Sequence, residues 1–118
     1  MNFNDYNWHD SIIKNIVIDR NNPGTNDSIR IEIIWPDNKE NTICFKGVYW
    51  ANFEMNFGIV SPENILNAYL TSKDDKTIVD FFLRWKGLIN DINLNCYVID
   101  LNSTGGNIKI IAEEFKIC

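Results

Sequence analysis

Hydrophobic and polar positions alternate with period two through much of this chain, which predicts strands. The run Ser11–Asp19 is dense in β-branched residues. Turn formers fill Arg20 to Asp27 around Pro23-Gly24. Ile29, Ile31, Ile33 and Trp35 then alternate with Arg30, Glu32 and Ile34 until Pro36-Asp37-Asn38 ends the run. These two runs predict an antiparallel hairpin with a long loop. From Ile43 to Phe57 every odd position is Ile, Phe, Gly, Tyr, Ala, Phe, Met or Phe, while the even ones are mostly Lys, Asn and Glu. That span is longer than an ordinary strand. It reads as one strand bent at Gly47, or as two strands broken near Trp50-Ala51.

The period changes after Gly58. Ser61-Pro62-Glu63-Asn64 has a serine in the N-cap position followed by proline, and Ile65, Leu66, Tyr69 and Leu70 form an apolar stripe, which predicts a helix. A second helical pattern starts near Asp74 or Asp75 and carries Ile78, Phe81, Phe82, Trp85 and Leu88. The β formers in Thr77–Leu83 leave a strand open for the Thr77–Leu88 segment. Ile92, Leu94, Cys96 and Val98 then alternate, with Tyr97, Ile99 and Leu101 on the opposite face. Asn102 to Asn107 turns the chain through Gly105-Gly106, and Ile108, Ile110, Ala112, Phe115 and Ile117 line the return. The expected class is α+β. It comprises an antiparallel sheet of about five strands, with one or two helices inserted between strands three and four, ββ(β)–α(α)–ββ.

Composition narrows the function classes. A chain of 118 residues is one domain, residues 1–118, and its 45% hydrophobic and 13% aromatic content supplies a core without disulfides or a metal. The net charge of −5 disfavours nucleic acid, whose backbone demands Lys and Arg. It favours, through steering, a basic partner. No apolar run approaches the length of a membrane span, and the N-terminal residues carry no basic start and apolar stretch, so the expected location is cytoplasmic. Cys44, Cys96 and Cys118 are odd in number and lack CxxC spacing. Cys44 and Cys96 read as small buried hydrophobes, and Cys118 as a mobile terminal residue.

Candidate chemistry is sparse. The one histidine stands in Trp8-His9-Asp10-Ser11. Three consecutive side chains on an extended chain alternate in direction, so His9, Asp10 and Ser11 cannot form a catalytic triad among themselves. They can line a pocket with His9 as ligand or base. They can equally serve as backbone-bonding residues where the chain enters a strand. Asp74-Asp75 suits a helix start, and Glu113 and Glu114 on a strand face opposite sides. No metal-ligand, phosphate-loop or dinucleotide motif occurs, so neither catalytic residues, a metal nor a cofactor is expected. Tyr49-Trp50-Ala51-Asn52-Phe53 places rings on both faces of one strand, and Tyr and Trp concentrate in interface hot spots. Tyr49 and Trp50 are therefore the candidate partner-binding residues, with the alternative that a helix covers the second face and makes both sides core. Trp85 reads as core between solvated cations.

His9-Asp10-Ser11, Ile43-Cys44-Phe45-Lys46-Gly47-Val48, Phe57-Gly58 leading into Glu63-Asn64-Ile65, and Ser103 to Ala112 together carry a resemblance. The chain resembles small bacterial proteins with an "HDS" start, some of them encoded as immunity proteins of polymorphic toxin systems. The resemblance implies a protein that neutralises a toxin partner, and it carries over no catalytic residues. The leading expectation is thus a non-enzymatic protein-binding domain with a protein partner, a basic toxin under the resemblance, and no nucleic-acid or membrane role. A small ligand-binding module or enzyme around His9 and Asp10, or a homo-oligomeric structural subunit, are the alternatives.

Overall fold

The computed structural model describes residues 2–85 and 92–118. After a 3-10 turn at Phe3–Asp5, the strands are β1 (Ile12–Asp19), β2 (Ser28–Ile34), β3 (Glu40–Glu54), β4 (Glu63–Leu70), β5 (Asn95–Leu101) and β6 (Asn107–Ile117). The helix α1 (Lys76–Arg84) lies between β4 and β5. The strands form one closed antiparallel barrel in the order β1-β2-β3-β6-β5-β4. The expected α+β class with five strands and helices after the third is therefore corrected to a six-stranded antiparallel barrel with, among the described residues, one α-helix, placed after the fourth strand.

The correction turns on residues 61–70. Instead of a helix, Glu63–Leu70 is a strand paired with β5. Its register shifts between Ile65 and Asn67, so a bulge at Leu66 separates the two buried residues, Ile65 and Ala68, by three positions. A bulged strand and a helical turn both bury residues three apart, and the sequence pattern does not separate them.

The expected first hairpin forms, with Ile12 opposite Ile34 and Asp19 opposite Ser28. The long third strand is continuous over 15 residues. It bends at Gly47, whose φ is 62°, and bulges between Val48 and Trp50 where it runs along β6. Around that bend Phe45 and Val48 both join the interior, as do Ala112 and Phe115 opposite them, so the pleat slips by one on both strands. Glu113 and Glu114 consequently are both exposed.

The barrel interior holds Ile29, Ile31, Ile33, Ile43, Phe45, Ile65, Tyr97, Ile99, Ile108 and Ile110. The N-terminal segment plugs one end. Phe3 is buried against Trp8, Tyr97 and Phe115, with ring centroids 4.6, 5.0 and 5.0 Å apart. The Trp8 indole donates to the Phe3 carbonyl at 2.7 Å, which satisfies both polar groups inside the plug.

A second, smaller cluster lies outside the barrel under α1, where Ile78 and Phe81 cover Leu94, Cys96, Val98 and Ile111. Each such apolar side chain contributes about 1.5–3 kcal/mol when fully buried. Asp75 caps this helix by accepting from the Thr77 amide at 2.9 Å. Trp85, expected in the core, is exposed just past the helix end, because the buried face is carried by Ile78 and Phe81. Leu88 falls outside the described residues.

The cysteine reading changes as well. Cys118 is not a loose end: its amide donates to the Thr42 carbonyl at 2.9 Å, and its sulfur is joined to Cys44 in a disulfide with the Cα atoms 6.0 Å apart. Antiparallel pairing of Ile43 with Ile117 brings the two together. Cys96 is the buried free thiol.

Candidate functional site

The closure of the barrel positions everything around it. β1 meets β4 through only two residue pairs, Ile12 with Asn64 and Ile13 with Glu63. The chain before β1 extends that joint: the Asp10 amide donates to the Ile65 carbonyl at 2.9 Å, and the Ile65 amide to the Ser11 carbonyl at 2.8 Å. Asp10 takes the left-handed conformation, φ 66°, to turn this corner. Aspartate tolerates that region better than most residues do.

The side chains of His9, Asp10 and Ser11 diverge there. Ser11 is fully buried, and its hydroxyl donates to the Asn7 carbonyl at 2.9 Å. His9 stands in solvent with Nδ1–H donating to the Leu66 carbonyl at 2.8 Å, and its Nε2 is 3.6 Å from the Asp10 carboxylate. The serine proton is thus committed away from the imidazole, and the three residues stitch β1 to β4 through the backbone. Among the described residues no group of three or more His, Cys, Asp or Glu side chains could hold a metal ion. No helix among them is long and apolar enough to cross a membrane.

Tyr49 and Trp50 sit on the β3 bulge, where one extra residue against β6 turns side chains off the regular pleat. Tyr49 is 40% exposed. Trp50 is half-buried and packs against the cluster under α1, so it is both a support for that helix and part of the surface. Together they line a groove of about 340 Å³ whose apolar wall also includes Ile18, Ile29, Val48, Ala51 and Phe53.

Ile18 and Phe53 were not signalled by the sequence as surface residues, because each lies on the inward, apolar side of its strand, whereas Val48, which the alternation places on the polar face with Trp50, packs against the core. They reach the groove because the barrel gapes at this end. Ile18 is opposite the buried Ile29 and faces inward, yet is 56% exposed.

The rim of this groove is polar. Asp19 ends β1, and Arg20 and Asp27 come from the β1–β2 loop. Arg20 Nε donates to Asp27 Oδ1 at 2.9 Å, and the Gly24 amide donates to the other oxygen at 3.0 Å. The Arg20 hydrogen bond, followed by that of Gly24, holds the Asp27 carboxyl below the usual carboxylate range. Asp27 also anchors the loop's return, since its carbonyl accepts from the Val48 amide at 3.1 Å beside Tyr49. With Asp27 paired to Arg20, Asp19 leaves the rim with a net negative charge.

The chain matches no protein-family model and no curated protein. The geometry of this surface is accordingly the basis for a functional reading.

Proposed function

We propose that this protein is a non-catalytic binding domain that docks a basic protein partner on the face carrying Tyr49 and Trp50, and that it acts as an immunity protein neutralising a toxin. The observation that carries the reading is the bulge of β3, which presents Tyr49 beside an apolar groove with an acidic rim. A rigid aromatic anchor next to a desolvatable pocket is the usual composition of an interface hot spot. The chain's net charge of −5 supplies the steering field that raises association rates with a basic partner. The resemblance to the HDS-start proteins supports a toxin as that partner, and the cytoplasm, where such a toxin would act, as the place of binding.

The test is affinity capture from the native cells with the wild-type chain and with Tyr49→Ala, after checking that both melt alike. The reading expects one basic protein retained in stoichiometric amount by the wild type and lost from Tyr49→Ala. Equal retention by both chains, or retention of no protein, counts against it.

A further inference from the structure

The joint between β1 and β4 leaves one strand edge open. β1 pairs with β2 along its whole length, but with β4 only at Ile12 and Ile13. Among the described residues nothing pairs with the other edge of Lys14–Asp19. Six residues of free edge span roughly 20 Å at the rise of a strand. An unpaired edge offers a row of backbone donors and acceptors to any extended chain.

Native proteins usually blunt such an edge. Here Lys14 and its bulge do so at one end only, and beyond them Val17 and Ile18 are exposed. Behind the edge lies a second trough of about 430 Å³, lined by Ile13, Ile16, Met55, Phe57 and Ile59. Its far lip is the β3–β4 connection, where Phe57 is 83% exposed and Val60 fully so. The trough and the Tyr49 groove flank the same strand, one touching Ile16 and the other Ile18.

We infer that the free edge of β1 takes up an extended segment of the partner as an added antiparallel or parallel strand, whose alternate apolar side chains pack over Ile16 in the trough and over Ile18 beside the Tyr49 groove. This deepens the proposed binding function and rests on it. The occupant's chemistry follows from the surface: backbone hydrogen bonds along the edge, apolar residues on alternate positions, and basic residues on the outward positions to match the chain's negative charge. A second copy of this chain fits worse. A two-fold antiparallel pair must centre on a residue facing its own copy. Centred on Val17, it sets Lys14 against Arg20; centred on Ile16, it sets Asp19 against Ile13. The favourable match of Lys14 with Asp19 is not available to two-fold symmetry.

The test is hydrogen–deuterium exchange of the full chain, using as probe a synthetic peptide of roughly eight residues that alternates valine and lysine. With the peptide about 100-fold above its Kd, exchange of edge amides within Lys14–Asp19 should slow by up to about 100-fold. Ile18→Lys places a charge on the same face of the edge as Ile16, against the added strand's apolar side chains, and should abolish that protection. Val17→Lys, on the outward face, should leave it intact, and both positions are exposed enough for the chain to fold.

Protection that rises with protein concentration in the absence of peptide would overturn the inference in favour of self-pairing. Unchanged exchange at every peptide concentration would overturn it outright. If that happens while Tyr49→Ala still loses a captured partner, strand addition fails and the binding function stands. If Tyr49→Ala loses nothing, the binding function itself fails.

Discussion

Asp10 and Ile65 hold the barrel shut: the Asp10 amide donates to the Ile65 carbonyl at 2.9 Å, and Asp10 reaches it only by adopting a positive φ of 66°. Left-handed backbone costs a side chain with a Cβ roughly 1–2 kcal/mol. Asp10→Gly should therefore leave stability unchanged or raise it, whereas Asp10→Val should lower it by at least about 1–2 kcal/mol. Ser11→Ala should cost about 0.5–1.5 kcal/mol, the net worth of the hydrogen bond that the buried hydroxyl donates to the Asn7 carbonyl. Chemical denaturation curves of the three variants check this. Partner capture should survive in Asp10→Gly if the motif serves closure.

Phe3 should be as important to stability as any residue in the strands. It is buried among Trp8, Phe45, Tyr97 and Phe115. Phe3→Ala opens a cavity at the end of the barrel and should destabilise by about 3–5 kcal/mol, measured by urea unfolding.

The three cysteines should separate cleanly by chemistry. Burial pushes the Cys96 thiol up, so little thiolate exists at neutral pH and native protein should take no alkylating label. Unfolding without reductant should expose one thiol, and unfolding with reductant all three. Cys118→Ser should lower stability by about 2–4 kcal/mol, since the disulfide ties residues 74 apart in sequence. Mass spectrometry and thermal melts provide the two readouts.

The Arg20–Asp27 pair should show in the acid limb. The Asp27 carboxyl is held low by its hydrogen bond to Arg20. A depressed folded value means its stabilisation is present in full above the unfolded value of about 3.9 and is lost as pH falls toward the folded one. Asp27→Asn should lower stability at neutral pH, and its difference from the wild type should shrink as pH falls below about 4, where the wild-type carboxyl takes up its proton. A pH series of melting temperatures for the two chains measures the difference.

Five of the six strands among the described residues were legible in the sequence from period-two or β-branched runs, and the start of a helix at Asp74 or Asp75 was one of two readings, which the Asp75 cap resolves. β4 was not legible. Its bulge at Leu66 spaces Ile65 and Ala68 as a helical turn would, and Ser61-Pro62 reads as a helix start. The plug escaped notice because Phe3, Tyr6 and Trp8 stand singly among Asn and Asp, so no period betrays them.

The disulfide depends on β3–β6 register, which only the assembled barrel fixes. Of the site, Tyr49 and Trp50 were readable as rings at odd places on a strand. Ile18 and Phe53 were not, because their exposure comes from a gap in the barrel rather than from their own sequence pattern.

The decisive measurement is the affinity of the captured partner for the wild-type chain and for Tyr49→Ala, taken with matched melting temperatures. Loss of a hot-spot ring should weaken binding by 2 kcal/mol or more, about 30-fold. Unchanged affinity would contradict the assignment of this face as the docking surface.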